Sequence, residues 1–482
     1  MRYFTSLVRS DPRKSVFWCG KVVFSDETTF GSVEVQNGKI SACHHGQTLL
    51  EAQQRAQKED GTTLLDLGSD GTCLSPGLVD VHVHISALGR NWEGYETATK
   101  AAAAGGITTI IGMPLNSIPP TTSAERFFLE KEKANETPLF VDVGLWGGVV
   151  PENCNSNDLN DLLESGVLGL KAFLSPLPPA AGYEAVSPEQ LLRAAKICGQ
   201  HNKPILVHSE LMTETEVNER LEISYGGGVS PMSYEAHLNS RPPEWERAAV
   251  EVVCRAASHC QMHVVHLSDA GCLDAIREAK LDPNKRLSIE TCPHYLLLDS
   301  SMIAEGCTRL KCFPPIRDAS NRETLIDGLK EGLIDIIASD HSPCEASMRC
   351  YETGNMKEAW GGLSGLQYQL PATWTEAYKR GFSVRDMANW WSKNPCSLAG
   401  LDSIKGSIEV GKQADFCWWD PIHTKRAPND YCREYHRWKG DTYYASQTDL
   451  RGRVLGTWVG GTMVYDGSTD EHQGAAGSFL QS

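Results

Sequence analysis

The chain has 482 residues, 41% of them hydrophobic and 22% charged, an ordinary globular balance with room for one large catalytic domain and a smaller companion. A formal net charge of −16 disfavours a nonspecific binder of nucleic acid or of an anionic membrane. No apolar run approaches the ~18–20 residues of a membrane span, and residues 1–20 carry no secretory pattern. The 16 cysteines form no pair of Cys-x-x-Cys motifs, so reduced thiols in an intracellular, cytoplasmic protein are expected.

Residues 15–70 read as short strands and turns. Val22-Val23-Phe24 and the segment 31–40 alternate apolar and polar residues, and Asn37-Gly38 is a hairpin turn signal. From residue 74 the text changes. Eight short apolar strands are predicted at 78–84, 107–113, 139–147, 168–174, 204–209, 262–267, 287–292 and 333–339. Helical text at Ala98–Ala104, Pro188–Cys198, Glu244–Ser258 and Asp269–Lys280 lies between several of them. This alternation predicts an α/β fold, a (β/α)8 TIM barrel over 74–400. A doubly wound open sheet is the alternative, although no Gly-x-Gly-x-x-Gly turn follows an early strand. Residues 406–411 and 452–460 return to strand-and-turn text. Segments 1–73 and 401–482 are therefore expected to build one small β-sandwich domain from both ends of the chain, with the barrel inserted between them.

Polar residues at the C-terminal ends of the predicted barrel strands are the candidates for chemistry. His82 and His84 close the first strand; residues i and i+2 share a face about 7 Å apart, a spacing that suits two ligands of one metal ion. Lys171 sits among apolar neighbours on the fourth strand, His208 ends the fifth, His263 and His266 flank the end of the sixth, and Asp340 ends the eighth. Each has a plainer reading: a surface lysine, a core histidine, or an aspartate capping a following helix. Their joint occurrence on the right strands of one barrel favours a metal site.

These residues carry a family resemblance. His82-x-His84, Lys171, His208, His266 and Asp340 resemble, in order and type, the ligand set of the cyclic amidases of the amidohydrolase superfamily. Gly77-Leu-Val-Asp-Val-His-Val-His, Glu290-Thr-Cys-Pro-His-Tyr-Leu, Pro314-Pro-Ile-Arg and Gly411-Lys-Gln-Ala-Asp-Phe are similar to that group over most of the chain. The resemblance implies two divalent ions, zinc in the first place, with manganese, cobalt or nickel also suited to such donors. His82, His84 and Asp340 would hold one ion, and His208 and His266 the other. An N6-carboxylysine at Lys171 would lie between them. It also implies that Asp340 is the catalytic base and acid, that the partner is a small molecule, and that the enzyme is a homotetramer.

Three positions bear on the substrate. Dihydroorotases resemble His-x-His-x-Arg, whereas Ser86 stands at the arginine's place here. Hydantoinases and dihydropyrimidinases usually carry a tyrosine five residues after the lysine, where this chain has Pro176. The strings 89–109, Met113–Thr122, Ser339–Cys344 and Trp360–Gln367 are similar to the allantoinases instead. That likeness implies hydrolysis of the hydantoin ring of allantoin to allantoate, with a hydantoinase or dihydropyrimidinase as the alternative. It further implies that Cys312, the backbone of Phe313, Ser342, the backbone of Gly362, and Asn116 contact the substrate. Two departures stand out: Ala87-Leu88 where Glu-Pro is common before Gly-Arg, and Phe313 where a small or polar residue is common.

Overall fold

The computed structural model describes residues 14–58, 61–69, 71–154, 157–425 and 433–482. The expectation for the first residues of the chain therefore lies, up to residue 13, outside the described residues. Eight parallel strand positions form the barrel: Leu78–Val83, Ile107–Gly112, Asp142–Leu145 continued by Gly147–Gly148, Leu170–Phe173, Ile205–His208, Gln261–Val264, Arg286–Thr291 and Ile336–Ile337. The ring closes where Val83 bridges His341 in parallel and the His84 amide donates to the His341 carbonyl at 2.8 Å. Each strand lies within a few residues of its sequence-based place. The eighth is the shortest.

Period-two alternation divides the barrel strands between two environments. Ile205 and Val207 face the helical layer, in one cluster with Leu191, Ala194, Ala249 and Val253. Leu206 faces inward, in a second cluster with Phe173, Val265 and Ile336. Lys171 alternates with Leu170 and Ala172 of the outer cluster, so it shares the inner face with Phe173. The helices start where the sequence signals them. Ser187 and Gln190 form a capping box around Pro188 for Pro188–Gln200, and Pro243 opens Pro243–Ala256.

The two ends of the chain meet in one nine-stranded, mainly antiparallel sheet. Lys14–Val23, Thr28–Gln36, Lys39–His45, Thr63–Asp66 and Cys73–Pro76 come from the N-terminal side. Phe416–Thr424, Arg451–Val459, Thr462–Asp466 and Glu471–His472 come from the C-terminal side. The seam is the antiparallel pairing of Phe416 with Pro76 through Trp419 with Cys73. Asn37 (φ 52°) and Gly38 (φ 76°) make the predicted hairpin turn, both in the left-handed region that a two-residue loop demands.

Two details depart from the sequence reading. Residues 49–57, read as strand and turn, form the helix Leu49–Gln57; a Thr48/Glu51 capping box starts it, and Ala52 and Ala56 alone are its buried contacts. Residues 406–411 hold only an isolated bridge, Ile408 to Phe24, between two glycines with positive φ.

Sheet and barrel are locked together by Lys405, whose buried ammonium donates to Asp142 at 2.6 Å, Asp415 at 2.7 Å and Thr109 at 2.9 Å. A second tie is a strap, residues 433–446, which leaves the small sheet and crosses the C-terminal end of the barrel. There His436 stacks on His341 at 5.1 Å and the Arg437 amide donates to Glu93 at 3.0 Å.

Candidate active site

The inner face of the barrel gathers the predicted ligands at its C-terminal end. His82 Nδ1 donates to Glu290 Oε1 at 2.7 Å, which leaves Nε2 as the lone-pair nitrogen. That nitrogen lies 3.2 Å from Asp340 Oδ1, and His84 Nε2 lies 3.5 Å from the same oxygen. One ligand atom each from His82, His266 and Asp340 falls within 4.8 Å of the others. The lone pairs of His82 Nε2 and Asp340 Oδ1 repel unless a proton or a cation lies between them.

The protonation states suit a cation. Burial lowers the pKa of His84 and His208 and drops that of His266 well below the usual imidazole value. All three are therefore neutral near pH 7, the form that ligates. Burial pushes the Asp340 carboxyl up, but the facing His82 and His84 more than offset it and hold it ionised. His266 (φ 39°) and Asp340 (φ 46°) both sit in the left-handed region, the kind of backbone strain found at ligand sites.

Lys171 is the most telling residue. It is 0% exposed, its Nζ has no hydrogen-bond partner among the described residues, and burial brings its pKa down to about 7. A buried, unpartnered ammonium is costly, whereas a neutral amine is tolerated and is able to react with carbon dioxide. His208 completes the set: its ring stacks on Phe173 at 4.8 Å and meets His266 at 4.6 Å. Its Nε2 donates to Glu210, which Arg241 faces at 3.5 Å. Orphaned buried nitrogens at Lys171 and at His266 Nδ1, within one set of imidazole and carboxylate donors, fit a divalent-metal centre.

Several supporting groups carried no role in the sequence reading. Glu290 accepts from His82 Nδ1 and from the His266 amide at 3.0 Å through one oxygen, and faces His263 Nε2 at 3.2 Å through the other. His263 is thus a second histidine on Glu290, held at Ser288 Oγ by 2.8 Å, and lies apart from the cluster of ligand atoms. An acid at the end of a barrel strand was the available signal for Glu290. Asp80 accepts from the His82 and Ser339 amides and so ties the first strand to the eighth. His341 bonds Glu93 at 3.2 Å and takes the Gly365 amide at 3.1 Å.

The predicted substrate contacts divide. Asn116 lies against a predicted ligand: its side-chain amide nitrogen is 3.1 Å from His84 Nδ1, so it orients that ring. Cys312 is buried, its thiol pushed up and protonated by burial, and its carbonyl accepts from His237 at 3.1 Å. The half-buried Phe313 ring lies under the Arg241 guanidinium at 4.5 Å and edge-on to His237 at 5.3 Å, away from a simple hydroxyl role. The Gly362 amide is committed to the Lys311 carbonyl at 2.8 Å, and its own carbonyl, which accepts from Arg349 through one lone pair, keeps a second able to meet a ring N–H. Gly362 has φ 134°, and a Cβ there would lie 2.7 Å from Ser342, so only glycine lets these two segments touch. Tyr183, twelve residues beyond Lys171, donates to the Lys171 carbonyl at 2.7 Å and so is not free to stabilise an oxyanion.

Comparison with known proteins agrees in kind. The Amidohydrolase family model matches residues 73–464. An allantoinase of Arabidopsis thaliana is 39% identical over 457 residues, covering 92% of this chain and 87% of that one. An allantoinase of Saccharomyces cerevisiae is 35% identical, covering 89% and 90%. Among solved structures, the L-hydantoinase (dihydropyrimidinase) from Arthrobacter aurescens superposes with a TM-score of 0.84 at 26% identity, over 97% of this chain and 99% of that one.

Proposed function

The chain belongs to the amidohydrolase family, and on that premise we propose that it opens the hydantoin ring of allantoin by hydrolysis, giving allantoate. It is a hydrolase acting on a carbon–nitrogen bond of a cyclic amide. The observation that carries the reading is Lys171: a fully buried amine with no hydrogen-bond partner among the described residues, close enough to His84, His208, His266 and Asp340 to act on them electrostatically. His82, His84 and Asp340 would hold one divalent ion and His208 and His266 the other, with Lys171 as a carbamate between them. When bound, the ions, zinc by donor type, polarise the scissile carbonyl and lower the pKa of the attacking water.

The chain's own groups do the rest. Asp340, held ionised, takes the proton of the attacking water and returns it to the leaving ring nitrogen, one carboxylate serving as base and then acid. Glu290 and Asn116 fix the ring orientations of His82 and His84. Ser342, the Gly362 carbonyl and the Cys312–Phe313 segment form the wall for the flat ring. Assembly into a homotetramer is part of the proposal, and light scattering tests it.

Metal analysis of the purified protein is the direct test: about two ions per chain are expected in this family's dinuclear arrangement, and one or none overturns the reading. Lys171→Ala is expected to lose metal and activity together, and full activity in that variant refutes the bridging role. The L-hydantoinase likeness supports a second reading, a dihydropyrimidinase-type amidase. Faster turnover of dihydrouracil than of allantoin would favour it; Pro176 in place of tyrosine and the engaged Tyr183 hydroxyl speak against it.

A further inference from the structure

Two segments form the ring-binding wall, and little of their own backbone holds them together. Residues 340–342 and 360–363 meet through one bridge, His341 with Leu363, in which the Ser342 amide donates to the Leu363 carbonyl at 2.8 Å. A buried arginine from outside both segments supplies the rest. Arg349 is 1% exposed. Its Nη1 donates to the Trp360 carbonyl at 3.2 Å and to the Gly362 carbonyl. Its Nη2 donates to the Ser342 carbonyl at 3.0 Å and to Asp441 Oδ2 at 3.2 Å. One planar guanidinium thus gathers three carbonyls from the two segments.

A buried cation needs a counter-charge, and here it does not come from the barrel. Asp441 lies on the strap that the small sheet sends across the barrel end. It is buried, and it also accepts from Ser364 Oγ and Tyr351 OH. The charge that steadies Arg349 is therefore delivered by the second domain, at the point where the Asp340–Ser342 segment and the Gly362 segment converge.

We propose that Arg349 is a positioning residue for the ring-binding wall and that Asp441, from the strap, holds it in register. The proposal rests on the reading that Ser342 and Gly362 line the substrate ring. An arginine fork meets three carbonyls and a carboxylate at fixed angles; a lysine offers one point charge and three donors on a flexible stem. With the clamp loosened, Ser342 and Gly362 drift apart, and ring binding weakens in ground and transition state alike.

The test compares metal-loaded wild type with Asp441→Asn, Arg349→Lys and Arg349→Met. Asp441→Asn keeps the side chain's shape and removes its charge. It is expected to keep its metal content and circular dichroism while KM for allantoin rises about tenfold and kcat stays within about threefold, the signature of lost uniform binding. Arg349→Lys is expected to fall between wild type and Arg349→Met in KM. A wild-type KM in folded Asp441→Asn overturns the proposal even if its melting temperature falls, because a purely structural tie moves stability alone. Loss of metal in that variant also overturns it. If Arg349→Met does not fold, Asp441→Asn decides alone. A wild-type enzyme inactive on allantoin defeats the substrate reading instead, and the same KM comparison is then made on the cyclic amide that it does hydrolyse.

Discussion

Glu290 offers the sharpest test of how the barrel prepares the proposed metal ligands. Its Oε1 takes two donors, His82 Nδ1 at 2.7 Å and the His266 amide at 3.0 Å, and its Oε2 faces His263 Nε2 at 3.2 Å. In Glu290→Gln the amide NH2 must replace one oxygen. Placed at the Oε1 position it would confront two donors. Placed at the Oε2 position it would meet only His263, whose other nitrogen already reaches Ser288 Oγ and whose tautomer is able to switch. The glutamine therefore keeps an acceptor on His82 and loses only the charge. A charge-assisted bond is about twice as strong as a neutral one, so the loss is about 1–2 kcal/mol, or roughly tenfold in metal affinity. Glu290→Ala is harsher. It leaves the His82 N–H and the His266 amide without an acceptor, and about 100-fold weaker binding follows, the upper end of such supporting-residue effects. Equilibrium competition for zinc against a chromophoric chelator measures both variants. Wild-type affinity in Glu290→Ala would refute the orienting role, and equal losses in the two variants would refute the tautomer argument.

Two further predictions concern stability. Lys405→Met leaves Asp142 and Asp415 as facing, buried carboxylates and is expected to cost about 3–5 kcal/mol in denaturant unfolding; a change below about 1 kcal/mol would show that the triad is not a lock. Burial first, then the neighbouring Lys311, drops the pKa of His237 to about 3. Below its unfolded value near 6.5 the unfolded chain takes a proton that the folded chain refuses. This contribution is complete above about pH 6.5 and is lost at about 1.4 kcal/mol per pH unit below it. Urea unfolding at about pH 7 and pH 5 should show a shallower loss in His237→Gln than in the wild type, and identical slopes would contradict the assignment.

The barrel was legible because its strands are short apolar runs separated by capped helices, and because the ligand types fall at strand ends. Lys171 stood out as a charge in apolar text, and the structure leaves it buried with no hydrogen-bond partner among the described residues. Other parts left no local trace. Leu49–Gln57 buries only two alanines, too thin an apolar stripe to read as a helix. The strap has no periodicity, and its contacts are long-range: Asp441 meets Arg349 across 92 residues of sequence and Arg437 meets Glu93 across 344. Asn116 was expected to contact the substrate, but its place against His84 comes with a left-handed backbone (φ 66°) that composition does not reveal.

The shared sheet imposes an order on the making of the protein. The Cys73–Pro76 strand leaves the ribosome long before its partner Phe416–Thr424, with roughly 340 residues between them, or about 20–70 s of synthesis at ~5–20 residues per second. Throughout that time the nascent chain carries an unsatisfied strand edge next to a half-built barrel, the kind of template on which chains aggregate. The strand is only four residues long and ends in a proline, which has no N–H to offer a wrong neighbour. Brevity at this seam is thus a safeguard during biosynthesis. Lengthening the strand or replacing Pro76 would expose newly made chains to mispairing before the finished enzyme showed any defect.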